Sequence, residues 1–178
     1  MHDKAMLGAT HRTWREWLAA GAAVLLLIGI NLGILGREEH LASGRVVLLE
    51  LAPVDPRSLM QGDYMALRFK AEDEAFGRGR RRDEEPRDGR MVVKLDARNV
   101  GTFARLDEGG AVAPDEAALR YRVRAGRVKF ATNAWFFKEG TAKAYEPARY
   151  GEFRVAPSGE LLLVALRGKD LEVLGPAR

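Results

Sequence analysis

The sequence contains no cysteine. Disulfides, thiolate metal sites and cysteine nucleophiles are therefore excluded. Histidine is almost as scarce: of the 3 present, His2 and His11 precede a long apolar run, so zinc lacks its usual donors. No phosphate loop, Ser-His-Asp set or dinucleotide fingerprint occurs, and no cofactor or metal is expected. No internal repeat is present. Charge of one sign is in small excess, net +4 from 29 Lys+Arg against 25 Asp+Glu. That bias does not point to nucleic acid by itself, although it suits an anionic surface. What remains is a chain of 178 residues, 47% apolar, long enough for one folded domain plus an anchor.

The apolar run is the first positive feature. Residues 1–17 form a polar segment, with Lys4, Arg12 and Arg15 set against Asp3 and Glu16. Residues 18–36, LAAGAAVLLLIGINLGILG, carry no charge and one polar side chain, Asn31. This is close to the ~20 apolar residues that cross a bilayer. Trp14 and Trp17 stand where the membrane–water interface would be. A cleaved signal peptide needs a small-x-small site after the run, and Gly36-Arg37-Glu38-Glu39-His40 offers none. The expectation is an uncleaved signal anchor, a single transmembrane helix. The alternative of a soluble apolar helix needs a partner on every side. The Lys/Arg bias places the N-terminus in the cytoplasm and the rest of the chain outside it. Gly29 and Gly33 make a small-xxx-small face, with Asn31 beside it, which suggests self-association through this helix. Residues 37–44 read as a tether of at most about 28 Å when extended.

Residues 45–175 read as a β-rich domain. Val46, Leu48 and Glu50 alternate with Val47, Leu49 and Leu51, so the first strand is apolar on both faces and well buried. Pro53 and Pro56 stop its pairing. Asp55 before Pro56, and Gly62-Asp63, suit turns that re-enter a strand. Met65, Leu67 and Phe69 then share one face, and Tyr64, Ala66 and Arg68 the other. Residues 71–90 mix glycine, proline and both charge signs and predict a mobile loop. Its stretch 77–82, GRGRRR, is basic but is followed at once by Asp83, Glu84 and Glu85. Beyond it, strand-like runs recur at 91–96, 102–106, 119–124, 127–131, 151–155, 161–166 and 171–174. Turn signals separate them at Gly109-Gly110, Ala125-Gly126, Pro157-Ser158-Gly159 and Gly168-Lys169-Asp170. The pattern predicts a mainly β fold, a small antiparallel β-sandwich or barrel-like domain. One or two short helices are expected, at 113–119 with Pro114 near its start and at 141–150 with Thr141 as N-cap.

The octet Gly62-Asp63-Tyr64-Met65-Ala66-Leu67-Arg68-Phe69 resembles the signature of the bacterial GDYXXLXY protein family. Pro53-Val54-Asp55-Pro56-Arg57 resembles the segment that precedes that signature, and Phe136-Phe137-Lys138-Glu139-Gly140 a later family feature. The motif residues are Gly62, Asp63, Tyr64, Leu67 and Phe69. Phe69 replaces the family's final tyrosine, so any role of that hydroxyl is absent. The resemblance implies a membrane-anchored protein of no assigned activity, often considered alongside multi-spanning membrane proteins. It supplies no catalytic residue.

Candidate surfaces follow from alternation. Arg120, Arg122 and Arg124 alternate with Leu119, Tyr121 and Val123; after the turn, Arg127 and Lys129 alternate with Val128 and Phe130. A tight hairpin would gather these cations on one sheet face, where like charges oppose each other. They either contact an anionic surface or form a plain solvated face. Trp135 and Phe137 point one way and Phe136 the other, so at least one side of this cluster is core. Asp55, Asp63 and Glu139 are carboxylates that either brace turns or converge on a site.

A Gly-Asp pair after a proline loop also occurs in the signal-peptidase fold. Where that fold carries its serine this chain has Val54, Ser58 is out of place, and Lys94 is the one candidate base. The reading drawn is a membrane-anchored, non-enzymatic interaction or accessory module for an integral membrane partner, with no nucleic acid. The alternatives are a hydrolase or peptidase near Asp55, Asp63 and Lys94, and a binder of anionic lipid or envelope polymer.

Overall fold

The computed structural model describes residues 9–52, 60–61, 64–77, 87–124 and 126–175. The chain forms two compact units that part between Ala42 and Ser43.

The first unit is one helix, α1 (Ala9–Ser43). Its stretch Trp14–Ser43 is long and apolar enough to cross a membrane, and its apolar side chains are exposed throughout. Asn31 Nδ2 donates to the Leu27 carbonyl 2.9 Å away. Its polarity is thus met inside its own helix. The helix outruns the expected span at both ends. Residues 37–43 are helical, not an extended tether, because Arg-Glu-Glu-His-Leu-Ala contains only residues that tolerate a helix interior. At 1.5 Å per residue this spacer is about 10 Å long.

The second unit is β-rich. Its elements are β1 (Arg45–Glu50), β2 (Met60–Gln61), β3 (Tyr64–Ala66), α2 (Lys70–Phe76), β4 (Arg87–Leu95), β5 (Val100–Leu106), β6 (Glu116–Arg124), β7 (Arg127–Lys129), β8 (Ala134–Phe136), a 3-10 turn (Ala142–Tyr145), β9 (Tyr150–Val155) and β10 (Leu161–Arg167). A 7-stranded sheet runs β10-β9-β1-β5-β4-β6-β7, and a 3-stranded sheet β2-β3-β8. Every pairing is antiparallel except β1 with β5, which is parallel. The strand read as apolar on both faces lies inside the large sheet, between β9 and β5, with Val47, Leu48 and Leu49 buried.

The large sheet curls. The β9–β10 turn reaches β6, four strands away in the sheet order: Arg120 N–H donates to the Gly159 carbonyl at 2.8 Å. Gly159 has φ +83, and a Cβ there would lie 3.0 Å from the Ala118 carbonyl oxygen, so this closing contact needs glycine. At the same end of the sheet Arg45 donates to the carbonyls of Pro114 and Glu116, both at 2.7 Å, tying the start of β1 to the start of β6. The barrel-like outline follows from these closures. Both sheets and α2 feed one core, which includes Val47, Leu49, Met65, Phe69, Phe76, Val93, Leu119, Trp135 and Phe153.

Four local expectations differ from what forms. The predicted mobile loop at 71–90 contains most of α2 and the start of β4. Ala71 and Phe76 are buried, and the Phe76 ring meets Tyr121 edge-on at 4.9 Å, which supplies the apolar anchor that composition hides. Gly77, at φ 76, closes the helix with its N–H on the Asp73 carbonyl. Residues 114–115 make a turn, and β6 starts at Glu116 because β4 offers it a partner edge. At 141–150 only the 3-10 turn forms, and the Thr141 hydroxyl donates to the Lys138 carbonyl instead of capping. Residues 171–174 make a single bridge, Arg167 with Val173.

Candidate functional site

Two surfaces carry the residues singled out by the sequence: the signature segment with β8, and the β6–β7 hairpin. Gly62, Asp63 and Asp55 lie outside the described residues, as do Ser58 and the basic run 78–82.

In the signature segment, β3 is the middle strand of the small sheet. Tyr64 pairs with Phe136, Met65 with Trp135 and Ala66 with Ala134. Period two sends Met65, Leu67 and Phe69 inward, where all three are buried. Two backbone bonds fix the exit: Leu67 N–H to the Asn133 carbonyl at 2.7 Å, and Ala52 N–H to the Arg68 carbonyl at 2.8 Å. Phe69, fully buried, bridges to Leu51 and stands edge-on to Phe130 and Phe153 at 5.7 and 5.3 Å. A Cβ on Gly151 would lie 2.9 Å from the Phe69 ring, so that glycine makes room for the signature's last aromatic. The ring seat is wholly apolar in its named contacts, consistent with phenylalanine in place of tyrosine.

The outward face of the same segment is different. Tyr64 and Phe136 stand side by side, ring centroids 5.7 Å apart, and Phe136 is 70% exposed. Trp135 is buried against Tyr145, and Phe137 stacks on Tyr145 at 5.4 Å. The alternation expected for Trp135, Phe136 and Phe137 is therefore the one observed. Glu139 is exposed in a turn that ends at Gly140, φ +79.

Sequence reasoning missed Glu72. It sits on α2, three residues past the signature, half-buried, with Oε2 out of solvent and without a hydrogen-bond partner. Burial pushes its pKa up to about 7, and the neighbouring Asp73 adds to the shift; Arg68, the Phe69 backbone and Arg127 oppose it. Arg68 Nη2 is committed to Asp73 Oδ2 at 2.8 Å. The signal was legible only in part, as the acidic run Glu72-Asp73-Glu74 between Ala71 and Phe76.

On the hairpin, Leu119, Tyr121, Val123, Val128 and Phe130 are buried and Arg120, Arg122, Arg124, Arg127 and Lys129 are exposed. The register sets cation against cation: Arg122 opposite Lys129, Arg124 opposite Arg127, and Arg120 opposite Arg90 on β4. Two acids answer them. Asp88 holds Arg124 at 2.6 Å, and Asp107 holds Arg90 at 2.8 Å. Arg120, Arg122 and Lys129 have no ion pair among the described residues. Lys94, the candidate base, is exposed and lies 3.7 Å from Asp115. Among the described residues no group of His, Asp and Glu is placed to hold a metal ion.

Compared with known families, the chain matches over residues 26–166 the one described as GDYXXLXY protein. No curated protein and no solved structure matches.

Proposed function

The chain belongs to the GDYXXLXY protein family, and on that premise we propose that it is a membrane-anchored, non-enzymatic accessory module whose β-rich domain engages an integral membrane protein. The observation that carries this reading is where the signature's side chains go. Leu67 and Phe69 are spent on the core, and Tyr64 lines up with the exposed Phe136. The described part of the signature thus builds and presents a surface. An aromatic pair of this kind is a common anchor at protein contacts. The apolar, fully exposed stretch Trp14–Ser43 supports a lipid-embedded α1. Lys4, Arg12 and Arg15 before the uncharged run 18–36 favour a cytoplasmic N-terminus and an extracytoplasmic domain. Gly29 and Gly33 offer α1 a packing face toward a partner helix or a second copy.

Affinity purification of the full chain from detergent-solubilised membranes tests the reading. One integral membrane protein should co-purify in stoichiometric amount with the natural sequence and be lost with Phe136→Asp. Retention of the same partner by Phe136→Asp, or no stoichiometric membrane protein at all, contradicts it.

A further inference from the structure

We propose that the exposed face of β4, β6 and β7 is a docking surface for anionic lipid headgroups, engaged through Arg120, Arg122 and Lys129. The proposal rests on the reading of α1 as a membrane anchor. The backbone register is what demands a ligand. Three cross-strand pairs on this face are cation with cation, Arg90–Arg120, Arg122–Lys129 and Arg124–Arg127. Directly opposed like charges destabilise a sheet. The register cannot relax, because a slip of one residue would bury the cations and expose Tyr121, Val123 and Val128. Asp88, which the register sets opposite Arg122, is drawn to Arg124, and Asp107 pairs with Arg90. Among the described residues Arg120, Arg122, Arg127 and Lys129 have no ion pair, and the first two with Lys129 form the array left to an external anion.

The shape and chemistry of the patch favour phosphate headgroups over an acidic protein. The cations lie on a sheet surface, about 7 Å apart along a strand and about 5 Å across strands. Among the described residues that is an array facing outward, suited to another array of charges. Arginine predominates, and its planar fork bonds phosphate oxygens in pairs. The short helical spacer of residues 37–43 then matters. It holds the domain at high effective concentration beside the bilayer, so individually weak headgroup contacts suffice.

The absence of cysteine makes the test clean. Ser158, exposed in the β9–β10 turn next to Arg120, is replaced by cysteine and given a donor dye. The full chain is reconstituted into vesicles of phosphatidylcholine alone, or phosphatidylcholine with phosphatidylglycerol, each containing an acceptor-labelled lipid. Energy transfer should be higher on the anionic vesicles and fall to the neutral level in about 0.5 M salt. Each cation should shift the ratio of docked to free domain by about fivefold. Arg120→Gln, Arg122→Gln and Lys129→Gln together should therefore equalise the two vesicle types. These side chains are exposed, so an unchanged circular dichroism spectrum accompanies the loss. Equal transfer from the natural sequence on both vesicles, with co-flotation intact, overturns the proposal while leaving the anchor standing. So does a difference that survives the triple variant, or one that only added polyglutamate produces. Failure to co-float with either vesicle removes the anchor and the proposal together.

Discussion

Among the described residues, Glu72 is the one whose environment shifts its titration most. A carboxyl raised from the ordinary value of 4.5 to about 7 binds its proton more tightly in the folded than in the unfolded chain. Its contribution is therefore fully present below about pH 4.5 and is lost as pH rises through 7. Because the group is part-exposed, solvent screening leaves about 1–2 kcal/mol of the shift as stability. Glu72→Gln should flatten the fall in unfolding free energy between these pH values and stabilise the domain at pH 8 by that amount. Chemical denaturation at several pH values reads this directly; a natural chain no less stable at pH 8 than at pH 5.5 would contradict it. Around Glu72 the residues divide by legibility. Met65, Leu67 and Phe69 were readable as core because period two needs only local sequence. The raised carboxyl was not, since burial is its main cause and burial is set by how α2 packs against distant strands.

The elements show the same division. The inward and outward faces of the β6–β7 hairpin were legible, because its alternation is strict and a glycine with φ 67 stands at Gly126, although β6 begins at Glu116, inside the stretch expected to be helical, and β7 ends at Lys129. β1 was legible as a buried strand, although its parallel pairing with β5 was not, since nothing local encodes a partner that distant. α2 was missed because its seven residues, KAEDEAF, carry one large apolar side chain and no side-chain cap. The helical run through residues 37–43 was missed because the charges of Arg37, Glu38 and Glu39 end the apolar run, yet these residues tolerate a helix interior. For α1 itself the expectation is retention. Carbonate-washed membranes should keep the full-length chain, and its recovery in the supernatant, or as a form beginning near Leu41, would contradict the anchor.

At the scale of the molecule, the chain joins an exposed apolar helix to a curled sheet whose signature segment locks the small sheet onto the large one. Phe69 sits at that junction, and Tyr64 with Phe136 faces away from it. Family membership and the mainly β fold with its N-terminal apolar helix were both legible in the sequence. Partner identity was not, because an exposed aromatic pair specifies a kind of contact and no particular protein. The account therefore rests on whether that face touches something in the membrane. Placing a photo-activatable amino acid at position 136 of the full chain in intact cells measures this directly. Irradiation should give one discrete adduct with an integral membrane protein, absent when the same probe replaces the exposed Lys169. No adduct at 136, or the same adduct from 169, would contradict the central claim.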